Sequence, residues 1–177
     1  RLFQMLRENG VYDNSLIIVT ADHGEVFGER SLMEHGVSVY QDQVHVPLIV
    51  KYPGQQQRKD VDITVSLVDL FPTVLDVIGA PVPRRLAGIT LRKAEHLATR
   101  PVYAESYALW QKWGVEERFI DVERAVYLGG LKMVLTTKGR RELYDLAADP
   151  NETRDVAASK PEQAAQLVGA TLSGSRS

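Results

Sequence analysis

The feature that most constrains the fold is a run of four apolar residues, Leu16-Ile17-Ile18-Val19, that follows a short amphipathic segment. Residues 1–9 place apolar side chains at helical spacing, and Asn9-Gly10 is a typical helix end. The apolar run shows no alternation with polar residues, which is typical of a strand buried on both faces, as in a parallel sheet. A helix that precedes a short buried strand predicts α/β layering.

The next segments continue this pattern up to about residue 80. Residues 24–43 are polar and predict a loop with a short helix, and residues 46–50 predict a second buried strand. Apolar residues at helical spacing predict a helix that Gly79 ends. If Asp69 is its N-cap, Pro72 lies in the first turn at little cost; if it begins at Ser66, Pro72 kinks it.

The second half of the chain changes its period. Residues 124–128 and 131–136 read as strands, and Gly129-Gly130 between them predicts a hairpin. A third strand over 142–146 and a helix from Pro161 complete a small antiparallel sheet with one helix. We therefore expect an α/β part over 1–80, a linker over 81–100 and an antiparallel subdomain over 101–177. Trp110 and Trp113 are expected to cover the seam between the two parts.

Charge and composition exclude several classes of function. The net charge of −2 gives no basic excess for phosphate neutralisation, so nucleic acid is not an expected partner. The chain has no cysteine, which excludes thiolate zinc sites and Cys nucleophiles within it. No apolar run reaches about 18 residues, so no membrane segment is expected. The chain lacks an initial Met and opens inside a predicted helix, which predicts a piece of a longer protein.

Two short motifs could carry chemistry. Asp22-His23-Gly24 follows the first predicted strand, where ligands bind in open α/β sheets, and a carboxylate beside an imidazole suits a divalent cation. Alternatively, Asp22 caps the next turn and His23 makes a structural hydrogen bond. His35 lies in a polar, Gly-flanked loop and could donate a hydrogen bond to an anionic substrate or act as a general acid. Its alternative is an ordinary surface histidine.

The ordered series of motifs resembles the C-terminal part of sulfatases, which belong to the alkaline phosphatase superfamily. The series extends over most of the chain and comprises Ser15–Glu25, Gly28-Glu29, His35-Gly36, His45–Val50, Tyr52–Gly54, Val65–Leu75, Leu86–Gly88 and Glu142–Glu152. The resemblance implies the C-terminal part of an alkaline-phosphatase-like mixed sheet with flanking helices, followed by a small antiparallel sheet and helix.

The resemblance also implies a set of site residues. Sulfatases hold one divalent ion, usually calcium, and Asp22 and His23 match the later pair of its ligands. His35 lies near the place where the family often has a sulfate-binding Lys, so it is expected to contact the substrate. Arg30 stands where many members carry His, which is a departure from the family pattern.

The family's nucleophile, a formylglycine, arises within a Cys/Ser-x-Pro-x-Arg motif that this chain does not contain. The nucleophile and the early acidic metal ligands are thus expected upstream, and these residues alone are expected not to hydrolyse esters. The resemblance implies a sulfate ester hydrolase acting on a small anionic ester. A phosphodiester or phosphonate hydrolase, a metal-dependent phosphomutase of the same superfamily and a non-catalytic binding module on the same scaffold remain alternatives. An exposed sheet edge predicts self-association. The residues do not indicate a cell compartment.

Overall fold

A computed structural model describes residues 1–107 and 121–174, and their contacts form two compact units. Unit 1 comprises Arg1–Asp22 and Pro47–Leu97, and unit 2 comprises His23–Val46 and the described part of 98–177. The units group residues 23–46 with the C-terminal half, while the bounds expected from sequence remain a prediction. Trp110 and Trp113 lie outside the described residues.

The described residues form five α-helices, eight strands and two single 3-10 turns. The helices are α1 (Leu2–Glu8), α2 (Gln41–Val44), α3 (Leu70–Val77), α4 (Ala94–Leu97) and α5 (Pro161–Gly174). The strands are β1 (Ile17–Thr20), β2 (Val26–Phe27), β3 (Met33–Glu34), β4 (Leu48–Lys51), β5 (Val102–Ser106), β6 (Glu123–Leu128), β7 (Leu131–Thr136) and β8 (Arg141–Asp145). The 3-10 turns are Glu29–Ser31 and Leu67–Asp69. Within the described residues, none of the helices combines the length and the apolar character needed to span a bilayer.

In unit 1, β1 and β4 form a two-stranded antiparallel sheet, with Ile17 opposite Lys51 and Thr20 opposite Leu48. The prediction of a parallel arrangement buried on both faces is therefore wrong for this pair. Val19 and Ile49 are 44% and 63% exposed. An apolar run indicates that its side chains favour burial, but it contains no information on the direction of the neighbouring strand.

The start of α3 shows how Pro72 is accommodated. Ser66 and Asp69 form a capping box around the 3-10 turn, and the Ser66 amide donates to Asp69 Oδ2 at 2.9 Å. The α-helix then begins at Leu70. Pro72 lies in its first turn, where a missing amide proton costs no hydrogen bond, so the first of the two sequence alternatives is confirmed.

In unit 2, β5 to β8 form a four-stranded antiparallel sheet in chain order. The predicted Gly129-Gly130 hairpin joins β6 to β7, and both glycines have positive φ, 59° and 81°. A two-residue turn with positive φ at both positions matches the twist of the flanking strands, and glycine adopts it without strain. The mixed α/β fold with a small antiparallel sheet and helix is confirmed.

Both faces of this sheet are covered, each by its own apolar cluster. One face packs on α5 through Val126, Met133, Leu143 and Leu167. The other face packs on the segment 23–46, and the residues of that cluster include Val26, Leu32, Val37, Val39, Tyr40, Ala125, Tyr127, Val134 and Tyr144. The segment that carries the candidate site is thus a layer of the second unit's core.

Candidate active site

Asp22 and His23 are neighbours in sequence but belong to different units. Asp22 is exposed in a bend after β1, at the end of the first segment of unit 1. His23 begins the first segment of unit 2 and is also exposed. Both side chains are thus partly accessible to solvent, as ligand-binding side chains must be.

The segment 23–46 folds into short elements that bring two histidines together. The two-residue strands β2 and β3 pair across the 3-10 turn, with Val26 opposite Glu34. Glu34 and Gly36 have φ of 68° and 72°, so left-handed residues stand on both sides of His35. A non-glycine residue in this region is uncommon and costs of order 1–3 kcal/mol, which the surrounding contacts must offset.

This folding places His23, Glu25 and His35 in one exposed cluster. One ligand-capable atom from each side chain lies within 4.8 Å of the others. The two imidazole rings stack with centroids 4.0 Å apart and planes inclined by 21°. His35 Nδ1 is 3.1 Å from Glu25 Oε2. The cluster combines two imidazoles with one carboxylate, a donor set that divalent cations accept.

The hydrogen bonds of the two imidazoles fix their tautomers. His23 Nδ1 lies 2.8 Å from the carbonyl oxygen of Gly24, and that oxygen can only accept, so Nδ1 carries the proton. The carboxylate of Glu25 likewise requires a proton on His35 Nδ1. In the neutral form of each ring the lone pair is then on Nε2. A backbone carbonyl or carboxylate on one ring nitrogen is the usual way to orient the other toward a metal or substrate.

Gly24 is required by close packing against the short helix α2. Its amide donates to the carbonyl oxygen of Gln43 at 2.7 Å. A Cβ atom at this position would lie 2.1 Å from the carbonyl oxygen of Asp42 and 3.1 Å from the Cα of Gln43. Any larger residue would push the backbone away from α2, so the glycine of the Asp-His-Gly motif fixes where His23 and Glu25 stand.

Arg30, which departs from the family pattern, makes structural contacts. Its guanidinium pairs with Asp42 at 2.5 Å, donates to the Asn151 carbonyl oxygen at 2.7 Å and stacks 4.0 Å over the Tyr40 ring. These contacts hold the 3-10 turn against both α2 and the chain after β8. The position therefore carries a packing role in this protein.

Sequence reasoning singled out two of the three residues in the cluster and missed Glu25. A signal for it was present, because residues two apart in an extended segment project to the same side, and Glu25 follows His23 by two. The proximity of His35, twelve residues after His23, came only from the β2–β3 hairpin. The assigned roles of Asp22, His23 and His35 stay predictions.

Comparisons with known proteins agree with the motif series. The family model described as Sulfatase matches residues 1–80. Arylsulfatase K of Bos taurus is 31% identical over 170 residues, which are 92% of this chain and 31% of that protein. The chain thus spans about a third of the length of the curated relatives it matches.

Solved structures share the fold over nearly the whole chain. A putative sulfatase from Bacteroides thetaiotaomicron has a TM-score of 0.79 at 26% identity, covering 98% of this chain and 38% of its own. A protein in complex with its substrate D-glucosamine-2-N,6-O-disulfate has a TM-score of 0.73 at 25% identity, covering 97% and 36%. A phosphonate monoester hydrolase of Agrobacterium radiobacter has a TM-score of 0.72 at 26% identity, covering 98% and 37%.

The fold is that of an alkaline-phosphatase-like hydrolase scaffold. Within that class, the family match to residues 1–80, the arylsulfatase relatives and the sulfatase structures all point to the same family. These similarities support a sulfatase of the alkaline phosphatase superfamily, about a third of which corresponds to this chain.

Proposed function

We propose that this chain is the C-terminal portion of a hydrolase that cleaves sulfate esters. The observation that carries the proposal is the exposed cluster of His23, Glu25 and His35, which lies inside the segment matched by the sulfatase family model. Two orientable imidazoles and a carboxylate at the end of a strand can bind a cation and an anionic oxygen side by side.

Asp22 and His23 are proposed as ligands of one divalent metal ion, with calcium as the expected ion. Their donor atoms fit such an ion, because both side chains are exposed and they combine a carboxylate oxygen with an imidazole whose lone pair is on Nε2. Glu25 adds a second carboxylate within reach of His23. When bound, the ion would offset negative charge on the ester oxygens.

His35 is proposed to contact the substrate anion. Its ring faces His23 at a centroid distance of 4.0 Å, so an anion near the metal ligands would also lie near this imidazole. The Glu25 carboxylate, 3.1 Å from His35 Nδ1, orients the ring. A protonated imidazole donates a charge-assisted hydrogen bond to a sulfate oxygen, as a lysine would.

The nucleophile and the remaining metal ligands are proposed to lie outside these residues. No Cys and no Ser-x-Pro-x-Arg sequence occurs in the chain, and we propose that the formylglycine of the family is supplied by a preceding segment. We accordingly propose that the chain by itself does not turn over esters and that binding is the function of its own residues.

The proposed substrate is a small anionic ester. The likeness to a protein solved with a disulfated glucosamine supports a sulfated substrate. The equal likeness to a phosphonate monoester hydrolase supports a phosphonate or phosphodiester as the second candidate, because both esters present the same anionic oxygens to the site. A non-catalytic binding module is the third candidate.

We also propose that the isolated chain self-associates through unit 1. Among the described residues β1 and β4 pair only with each other, which leaves one edge of each strand unpaired. Val19 and Ile49 add exposed apolar side chains to these strands. Unpaired edges with apolar residues are the usual route to intermolecular strand pairing.

The test is hydrolysis of an aryl sulfate by the complete protein with its bound metal, beside an aryl phosphate and a phosphonate ester. Asp22→Asn and His35→Gln are expected to lower kcat/KM for the preferred ester by about 10²-fold or more. His96→Gln, on α4 in unit 1, is the matched control and should leave it unchanged. Preference for the phosphonate would select the second candidate, and metal binding without any turnover would select the binding module.

A further inference from the structure

The strand β7 carries a lysine that is completely buried. Lys132 is 0% exposed, and its ammonium pairs at 2.5 Å with the carboxylate of Glu152, whose side chain is also 0% exposed. A core strand position is normally apolar, as at the neighbouring Met133 and Val134. Burial lowers the pKa of Lys132, while the Glu152 carboxylate acts in the opposite direction. Apolar residues of similar volume often stabilise a buried position as well as an ion pair does, so stability alone does not explain this pair.

Both charged groups hold the backbone of the site-bearing segment. The Lys132 ammonium donates to the carbonyl oxygen of Val39 at 2.6 Å. The Gln41 amide donates to Glu152 Oε2 at 2.7 Å. Glu123, on the adjacent strand β6 and also fully buried, accepts from the Val39 amide at 3.1 Å. Three buried charged side chains thus fix the residues that lead into α2.

From α2 the contacts continue to both halves of the histidine cluster. The Gln43 carbonyl oxygen accepts from Gly24, which stands between His23 and Glu25. The Gln43 side-chain oxygen accepts from the amide of Val37, two residues after His35, at 3.1 Å. Gln43 is 3% exposed, so both contacts are shielded from water.

Regular secondary structure cannot perform this positioning. The segment 23–46 contains only two two-residue strands, one 3-10 turn and the four-residue α2. Elements this short are not stable alone, so tertiary contacts must fix the place of the cluster. The hydrophobic effect that buries the apolar side chains is not directional, so it does not fix the exact position of the segment. Hydrogen bonds to particular backbone atoms do fix it.

We propose that the buried Lys132–Glu152 pair is a positioning device: acting through α2 and Gln43, it sets the relative placement of His23, Glu25 and His35. Its consequence for catalysis rests on the proposed sulfate ester hydrolysis. The placement of the imidazoles themselves does not, and it can be measured without any activity.

The experiment compares imidazole resonances in the 177-residue chain by NMR at a temperature where the amide spectrum shows a folded protein. The variant Lys132→Met/Glu152→Leu removes both charges together and so leaves no unpaired buried ion. The matched control Lys160→Met/Asp145→Leu removes another Lys–carboxylate pair of unit 2, 2.7 Å apart and about one-third exposed. Its two residues have no hydrogen bond or ion pair to the segment 23–46 among the contacts described for them.

The expected result is that the His23 and His35 resonances shift or split in the Lys132/Glu152 variant, while His96 keeps its position. The control should leave all three unchanged. If the pair only stabilises the fold, its removal would lower Tm without moving these resonances in the folded protein. That result would overturn the inference. If the double variant does not fold, Glu152→Gln retains the shape and an acceptor for Gln41, and the same two resonances must shift.

In the complete protein, the same double variant is expected to lower kcat by about 10²-fold at a temperature well below its Tm, because small displacements of reacting groups have effects of this size. Absence of activity in the unaltered protein would refute the proposed hydrolysis and leave the NMR result standing. Shifted resonances with unchanged kcat would show that these histidines do not act in turnover. Unchanged resonances would refute the positioning role whatever the activity.

Discussion

The two antiparallel sheets of this chain differ in what covers them. The β5–β8 sheet of unit 2 has an apolar cluster on each face, whereas β1 and β4 of unit 1 contain no residue that is fully buried. Even α1 buries none of its residues. The comparison shows that apolar side chains favour burial. Whether they are buried depends on the elements that pack against them.

The largest expected effect tests the difference between buried and exposed charge. Lys132→Met should lower the free energy of unfolding by about 3 kcal/mol, because the buried Glu152 carboxylate would lose its closest cation and keep only the Gln41 backbone amide and Arg30, 3.7 Å away. In unit 1, Arg58→Met removes an ion pair with Asp60, and these two side chains are 85% and 78% exposed. This substitution should change the free energy of unfolding by at most about 1 kcal/mol. Urea unfolding followed by circular dichroism measures both, and equal losses would contradict the comparison.

The next effect concerns apolar side chains in the two sheets. Leu143→Ala on β8 empties a fully buried position and should lower the free energy of unfolding by about 2–5 kcal/mol. Ile49→Ala on β4 removes a side chain that is 63% exposed and should change it by about 0.5 kcal/mol or less. The same denaturation experiment applies. A large loss at Ile49 would indicate that this sheet is covered in solution.

Self-association is a further test of the difference between the covered and the uncovered sheet. If the open edge of β4 mediates it, Ile49→Lys should weaken association of the chain on the order of tenfold, about 1.4 kcal/mol. Ile78→Lys, at an exposed apolar position directly after α3, is the matched control. Sedimentation velocity over a concentration series measures this, and a monomer of 19.8 kDa at all concentrations would refute the proposed association.

A smaller, pH-dependent effect is expected at the β6–β7 end of the second sheet. Burial raises the pKa of Asp121, but hydrogen bonds from the Thr137 hydroxyl and the Lys138 and Val122 amides outweigh it and lower the pKa to about 2. The folded pKa is below the ordinary value of 3.8, so the stabilisation is present above about pH 4 and is lost as the pH falls toward 2.

Asp121→Asn should therefore flatten the fall in stability between pH 5 and pH 2, measured by urea unfolding at several pH values. Asp60→Asn, at an exposed aspartate of unit 1, is the control and should leave the profile as it is. Parallel profiles for Asp121→Asn and the unaltered chain would refute the assignment.

The smallest effect distinguishes two glycines. Gly169 lies within α5 and a Cβ atom there would meet nothing within 4 Å, so Gly169→Ala should stabilise the chain by about 1 kcal/mol. Gly10, just after α1, has equally open surroundings but a φ of +68°, so Gly10→Ala should destabilise it by about 1 kcal/mol. The two changes in Tm, measured by thermal unfolding, should have opposite signs. Changes of the same sign would show that open space around the glycine, and not its φ, determines the effect.

Much of the fold could be predicted because its signals are local. The Gly129-Gly130 turn fixes a hairpin whose register follows from the turn itself, and the capping box at Ser66 fixes the start of α3. The antiparallel pairing of β1 with β4 could not be predicted, because 27 residues separate the strands and no local signal sets their relative direction.

The candidate site divides in the same way. Asp22, His23 and His35 stood out by residue type and motif, and the sequence also placed a strand directly before Asp22. The environment of these residues could not be predicted, because the polar composition of residues 24–43 predicted a loop. It gave no sign that Val37 to Tyr40 are buried. The burial of Lys132 was equally hidden, since a charged residue on a strand is normally exposed.

The sequence by itself determined the local elements, the motifs of the sulfatase family and the residue types available for chemistry, because these depend on spacing and backbone preference. The tertiary structure alone decided that His23, Glu25 and His35 meet, that the segment between them forms a layer of the second core, and that Lys132 and Glu152 hold it from beneath. The physical reason is that burial and hydrogen bonding join residues about 100 positions apart, a distance over which side-chain periodicity carries no information.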